Sequence, residues 1–232
     1  MAKILVVGCM CVVFSLMAAA ESILPVLGEF RFSEEQKQNR YFKDIAQWAE
    51  QDRNQAVDED TVLCIGSSSF KGWHHIKTDL APLNIIHRGF GGSTMGDVLV
   101  WENFFLRYRS NTVLIYEGDN DMVNPKCSPE DLIGYYKKFC DAILKTNPKT
   151  HIYIVSIKPS IARLNLWTKM KKANELLARF AETHPNITYI DVSSKMLDKE
   201  GNPREELLAK DKLHMSRQGY VLWTEIIRDV IM

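Results

Sequence analysis

Four short stretches carry side chains with the right types and spacing for nucleophilic chemistry. Asp211-Lys212-Leu213-His214 places a carboxylate three residues ahead of an imidazole. At that spacing the carboxylate can fold back within one turn, hydrogen-bond one ring nitrogen and leave the other free as a base. Gly66-Ser67-Ser68-Ser69 supplies hydroxyls that such a base could activate for attack on an acyl carbonyl. The oxyanion formed by that attack needs donors. Within Glu117-Gly118-Asp119-Asn120-Asp121 the Asn120 amide can donate and the carboxylates cannot. In His87-Arg88-Gly89-Phe90-Gly91-Gly92-Ser93 the glycines let a backbone N–H approach a ligand with no side chain in the way. Each stretch also has a plainer reading: an N-capping serine, a solvated or calcium-binding acidic turn, a tight glycine turn, and a structural histidine at a helix start. The Asp partner of His214 is what tilts the set toward chemistry.

Other motifs fail on their own terms. A phosphate loop needs Gly-Lys-Ser/Thr, and here the order is Lys71-Gly72. Phe70 stands where the α/β-hydrolase elbow needs its second glycine. Thr94 stands where a dinucleotide fingerprint needs its last one. The chain has no HExxH or CxxC, and its acidic turn fits no EF-hand spacing.

The elements that must position these stretches can be read from periodicity. Thr61 to Ile65, Leu83 to His87, Thr112 to Tyr116, His151 to Ile157 and Ile187 to Val192 are short runs rich in Val, Ile and Tyr, the pattern of buried parallel strands. Helical stripes follow them. Phe70, Trp73, Ile76 and Leu80 form the first; Val98, Trp101, Phe105 and Tyr108 form the second, with Asp97 as a candidate cap. Ser128-Pro129-Glu130-Asp131 opens a third carrying Leu132, Tyr136, Phe139 and Ile143. Met170, Ala173, Leu177 and Phe180 make the fourth, and Leu222, Ile226, Ile227 and Val230 the last, opened by Ser216. Glu34 to Gln51 predicts one more helix in front. The alternation predicts a three-layer, doubly wound α/β sheet of about five parallel strands with chemistry at the strands' carboxyl ends, in the loops after the first, second, third and fifth. On helical spacing Trp73 reads as core, with His74 and His75 facing solvent rather than lining an acyl or sugar pocket.

In set and order, the four stretches resemble the blocks of the SGNH hydrolases, or GDSL-type esterases. Gly66-Ser67-Ser68 sits where that family has Gly-Asp-Ser, so Ser67 replaces the family's Asp. Gly92 matches the second block, Gly118-Asp119-Asn120-Asp121 the G-x-N-D block, and Asp211 to His214 the D-x-x-H block, over about residues 60–230. The resemblance implies a flavodoxin-like fold and a Ser-His-Asp mechanism. Ser68 would be the nucleophile, His214 its base and Asp211 the residue orienting the imidazole. The N–H groups of Ser68 and Gly92 and the amide of Asn120 would form the oxyanion hole, with no metal or organic cofactor. Counting from Gly66 selects Ser68 over Ser67 and Ser69. Members of the family act on acetylated sugars, lysophospholipids, thioesters and small aryl esters. The expectation is a secreted esterase for short acyl groups, acetyl above all, on carbohydrates or similar small esters. The alternatives are a lysophospholipase or lipase and a non-catalytic carbohydrate-binding protein on the same sheet. A flavin or nucleotide binder would leave Asp211 and His214 unexplained.

Composition agrees with one globular unit. The 232 residues hold 29 basic and 29 acidic side chains, 46% hydrophobic residues and no outstanding Lys/Arg cluster. Nucleic acid is therefore an unexpected partner, and a small-molecule or glycan ester the expected one. Oligomeric state is not legible. Met1 to Ala20 has a lone Lys3, an apolar run and Ala18-Ala19-Ala20 before Glu21, the pattern of a cleaved secretory signal; an uncleaved membrane anchor is the rival. Residues 21–232 would then form a single domain, with an N-terminal helical extension over about 21–58. Cleavage would place the protein outside the cytoplasm or in a periplasm, with no stable membrane insertion. Of the five cysteines, Cys64, Cys127 and Cys140 would remain. Cys64 reads as a buried hydrophobe, and Cys127 with Cys140 is a candidate bridge.

Overall fold

Strand-forming residues meet on both faces of one sheet. In the computed structural model, which describes residues 26–232, alternate strand residues divide between two apolar layers. Leu63, Ile65, Val113, Ile115, Ile152 and Ile154 pack on one side, and Val62, Cys64, Leu114, Tyr116 and Val155 on the other. The segment read as an export signal lies outside the described residues.

In chain order the elements are α1 (Glu34–Gln38), α2 (Phe42–Asp52), β1 (Val62–Gly66), α3 (Ser68–Lys71), α4 (Ile76–Asp79), β2 (Ile85–Gly89), α5 (Met95–Val100) and α6 (Glu102–Leu106). These are followed by β3 (Thr112–Tyr116), α7 (Asp119–Val123), α8 (Pro129–Thr146), β4 (His151–Val155), a 3-10 turn (Ile161–Leu166), α9 (Trp167–Glu182), β5 (Ile187–Ile190) and α10 (Arg217–Ile231). All five strands are parallel in the order β2-β1-β3-β4-β5, the flavodoxin-like order. Helices α2, α5, α6, α8 and α9 cover the first layer, and α3, α4 and α10 the second. The three-layer reading therefore stands. Among the described residues no helix is long and apolar enough to cross a membrane.

Three helical stripes break where periodicity alone shows continuity. The predicted helix over Glu34 to Gln51 is two helices, because Asn39 is extended and its side chain accepts the Tyr41 N–H at 2.9 Å. The stripe from Phe70 to Leu80 divides after Lys71, since the chain turns at Gly72 beneath the Tyr220 hydroxyl. The stripe from Val98 to Tyr108 divides at Trp101. Its cap is Thr94 rather than Asp97; Asp97 occupies the third helical position and completes a capping box. Ser128 and Ser216 cap α8 and α10 as expected. Cys64, Cys127 and Cys140 are all buried free thiols, so the candidate bridge is not formed.

Candidate active site

Register brings the first three loops together. Gly66 pairs with Gly89 on one side and Tyr116 on the other, so the chain leaves β1, β2 and β3 at one level. Ser67 occupies the N-cap position of α3 with no side-chain cap bond, and Ser68 begins the helix two residues past the end of the β1 core. This short helix lies directly on β2. A Cβ on Gly89 would fall 2.3 Å from the Lys71 nitrogen, so only glycine allows the helix to seat there. Ser67 and Ser69 are buried, at 1% exposure each, while Ser68 is part-exposed. Of the three serines, Ser68 is thus the one a solute can reach.

Beside Ser68 runs the glycine loop. Phe90 to Ser93 form a four-residue turn closed by the Ser93 N–H on the Phe90 carbonyl at 3.2 Å, with Gly92 left-handed at φ +78°. A Cβ on Gly91 would lie 4.0 Å from the Ser68 Cβ, which puts this turn against the candidate nucleophile. Among the described residues no backbone acceptor takes the N–H of Ser68 or Gly92.

Asn120 lies in α7, one turn beyond β3, and its amide is gripped at both ends. Nδ2 donates to the Ser93 carbonyl at 2.9 Å, and Oδ1 accepts from Arg163 at 3.0 Å. One N–H of Nδ2 is left for another acceptor. The Ser93 hydroxyl donates to buried Glu117 at 2.5 Å. Burial, then the nearby charge of Asp121, pushes the Glu117 carboxyl well above its ordinary range. Asp121 is pushed up by burial to about 6, and both its oxygens accept the Met95 N–H, at 3.0 and 3.2 Å. It ties the Asn120 helix to the start of α5.

Asp119 anchors the same helix from beneath. Burial raises its carboxyl, but Lys158 at 3.1 Å and Arg163 at 2.5 Å outweigh burial and hold it below its ordinary value. Arg163 therefore joins a buried carboxylate to the Asn120 amide. It projects from the 3-10 turn after β4, the one strand end that sequence reasoning passed over. The strand-end rule could have found it, but Lys158-Pro159-Ser160 gives no motif to mark the place.

The last stretch folds as its spacing predicts. Asp211 Oδ1 accepts the N–H groups of Leu213 and His214, both at 3.0 Å, around a left-handed Lys212. Asp211 Oδ2 meets His214 Nδ1 at 2.5 Å. The imidazole bond, then the two amides, hold the Asp211 carboxyl well below the usual carboxylate range. With Nδ1 against a carboxylate, Nε2 is the ring nitrogen free for proton transfer. The turn is moored twice: the Lys212 carbonyl accepts the Ala162 N–H at 3.1 Å, and α10 reaches α3 through the Tyr220 hydroxyl on the Ser69 carbonyl at 2.8 Å. Asp211 and His214 are thus joined, while among the described residues no hydrogen bond links the Ser68 hydroxyl to the imidazole. Trp73 is fully buried, with its indole N–H on Asp79, and His74 and His75 are exposed, as read.

Comparison with known proteins agrees with this architecture. The solved structures similar to this chain include a GDSL-like lipase from Bacteroides thetaiotaomicron, with a TM-score of 0.66, 20% identity and coverage of 83% of this chain and 95% of that one. They also include an acetylxylan esterase from Geobacillus stearothermophilus, with a TM-score of 0.61, 15% identity and coverage of 74% and 93%. A curated relative, the N-acylneuraminate cytidylyltransferase of Escherichia coli O18:K1:H7, is 24% identical over 208 residues, 88% of this chain. The chain spans about half the length of that relative, 49%. The GDSL-like lipase/acylhydrolase family matches residues 59–222, which includes all four stretches. The chain therefore belongs to that family, the SGNH hydrolases.

Proposed function

We propose that this protein is a serine esterase that removes short acyl groups, acetyl in particular, from carbohydrates or similar small esters, and that it is exported by its N-terminal segment. Ser68 Oγ attacks the ester carbonyl and His214 Nε2 takes its proton. The imidazolium is steadied by Asp211 and then protonates the leaving alcohol; water repeats the cycle on the acyl-enzyme. The N–H groups of Ser68 and Gly92 and the Asn120 amide receive the oxyanion.

The observation that carries this reading is the Asp211–His214 pair, with Nδ1 committed to the carboxylate and Nε2 left free. The substrate class is supported by openness. The side chains of His214 and Asp211 are 41% and 51% exposed, which suits a small acyl group presented on a bulky alcohol. Acetylxylan, an acylated sugar, is the named substrate of one structural neighbour.

The test is hydrolysis of p-nitrophenyl acetate and its longer-chain homologues by the protein and two variants. Ser68→Ala should lower kcat by about 10⁴–10⁶, and Asn120→Ala by about 10²–10³. Activity should fall as the acyl chain lengthens. Equal, small effects of the two substitutions would overturn the mechanism. A preference for long chains would overturn the substrate class.

A further inference from the structure

We infer that Tyr41, in the helical segment ahead of β1 and outside the matched family region, is a positioning residue for the oxyanion hole. It acts by fixing the peptide plane that carries the Gly92 N–H. This inference rests on the serine-esterase reading of the site.

The argument starts from a peptide unit. In a planar trans peptide the C=O of one residue and the N–H of the next point in opposite directions. The Gly92 N–H belongs to the same plane as the Gly91 carbonyl, so whatever holds that oxygen also aims that N–H. The Tyr41 hydroxyl donates to the Gly91 carbonyl at 3.3 Å. Its neighbour Arg40 donates to the next carbonyl, that of Gly92, at 3.2 Å.

The plane needs such a tie. The turn from Phe90 to Ser93 is left-handed at Gly92 (φ +78°) and not at Gly91, the pattern of a type II turn. Types I and II differ chiefly by a flip of the central peptide, here Gly91–Gly92. A side chain at Gly92 would oppose one of the two forms; glycine opposes neither. The flip would turn the Gly92 N–H from one face of the loop to the other. The loop's end bonds are the same in either form, so the choice falls to contacts from outside.

Tyr41 is built for that task. It is only 6% exposed, its ring packs edge-on against Phe90 at 4.9 Å, and its backbone N–H is fixed by the Asn39 side chain. Burial and the charge of Asp97 push its phenol up, so it remains a donor at any working pH. The break between α1 and α2 is what delivers it: Asn39 ends one helix, and Tyr41 enters the next at the angle that reaches the glycine loop.

The test compares wild type with Tyr41→Phe, Arg40→Leu and Ser68→Ala on p-nitrophenyl acetate. It also measures affinity for phenylboronic acid, which becomes tetrahedral and anionic on a serine. Tyr41→Phe keeps the ring and deletes only the donor. It should lower kcat about tenfold, within the 10²–10³ ceiling for complete loss of one oxyanion donor. KM should stay within about twofold, and boronate affinity should weaken by the same factor as kcat/KM. Arg40→Leu, which frees the carbonyl of the following peptide, should change kcat less. Wild-type kcat in Tyr41→Phe, with Ser68→Ala inactive, would overturn the positioning role and leave the esterase reading standing. So would a larger effect from Arg40→Leu, or a fall in kcat with boronate affinity unchanged. Full activity in Ser68→Ala would overturn the esterase reading itself, and this inference with it.

Discussion

Replacing Asp121 with Asn should change how stability depends on pH, in a direction the structure fixes. Asp121 is 2% exposed, and burial lifts its carboxyl from 3.8 to about 6. That displacement corresponds to about 3 kcal/mol between the two protonation states. Because the folded value lies above the unfolded one, the fold favours the protonated form. The contribution of Asp121 is therefore fully present below about pH 4 and is lost as pH rises through about 6. Asparagine does not titrate, and its Oδ1 can still accept the Met95 N–H. Asp121→Asn minus wild type should thus become more favourable by about 2.4 kcal/mol between pH 4 and pH 7.5. Urea unfolding of both proteins at half-unit pH steps would measure it. A difference that is flat in pH, or one that favours wild type as pH rises, would refute the burial argument.

Two further outcomes follow from the same contacts. Arg163→Met removes the donor to Asn120 Oδ1 while Lys158 stays on Asp119, so the protein should fold and kcat should drop about tenfold with KM nearly constant. Combined with Asn120→Ala it should add almost nothing, and additive losses would show that Arg163 acts elsewhere. Gly89→Ala drives a methyl to 2.3 Å from the Lys71 backbone and should destabilise by about 3 kcal/mol or more, whereas Gly91→Ala comes no nearer than 3.4 Å, to the flexible Lys71 Cδ. Comparable melting temperatures for these two alanine variants would contradict the seating of α3 on β2.

The legible parts of this protein are those set by local rules. Strand positions such as Leu63, Val113 and Ile154 show themselves because a sheet buried on both faces needs continuous apolar runs. Ser128 and Ser216 announce their helices through capping chemistry that depends on neighbours three residues away. The Asp211–His214 bond was readable for the same reason, since both partners lie within one turn. The break at Gly72 was not, because Gly72 yields to Tyr220 on an element that begins far along the chain, and no window of sequence contains both. The supports of the site share that property. Arg163 reaches Asn120 across 43 residues, and Tyr41 reaches Gly91 across 50. The residues proposed to meet a substrate lie in short motifs because a tight turn must hold them. The residues that aim them can also come from any element the sheet brings alongside, so a motif reading finds a local support such as Asp211 and passes over the distant ones. In this chain the distant orienting contacts, from Tyr41 and Arg163, come from places that the motifs leave blank, the segment before β1 and the loop after β4.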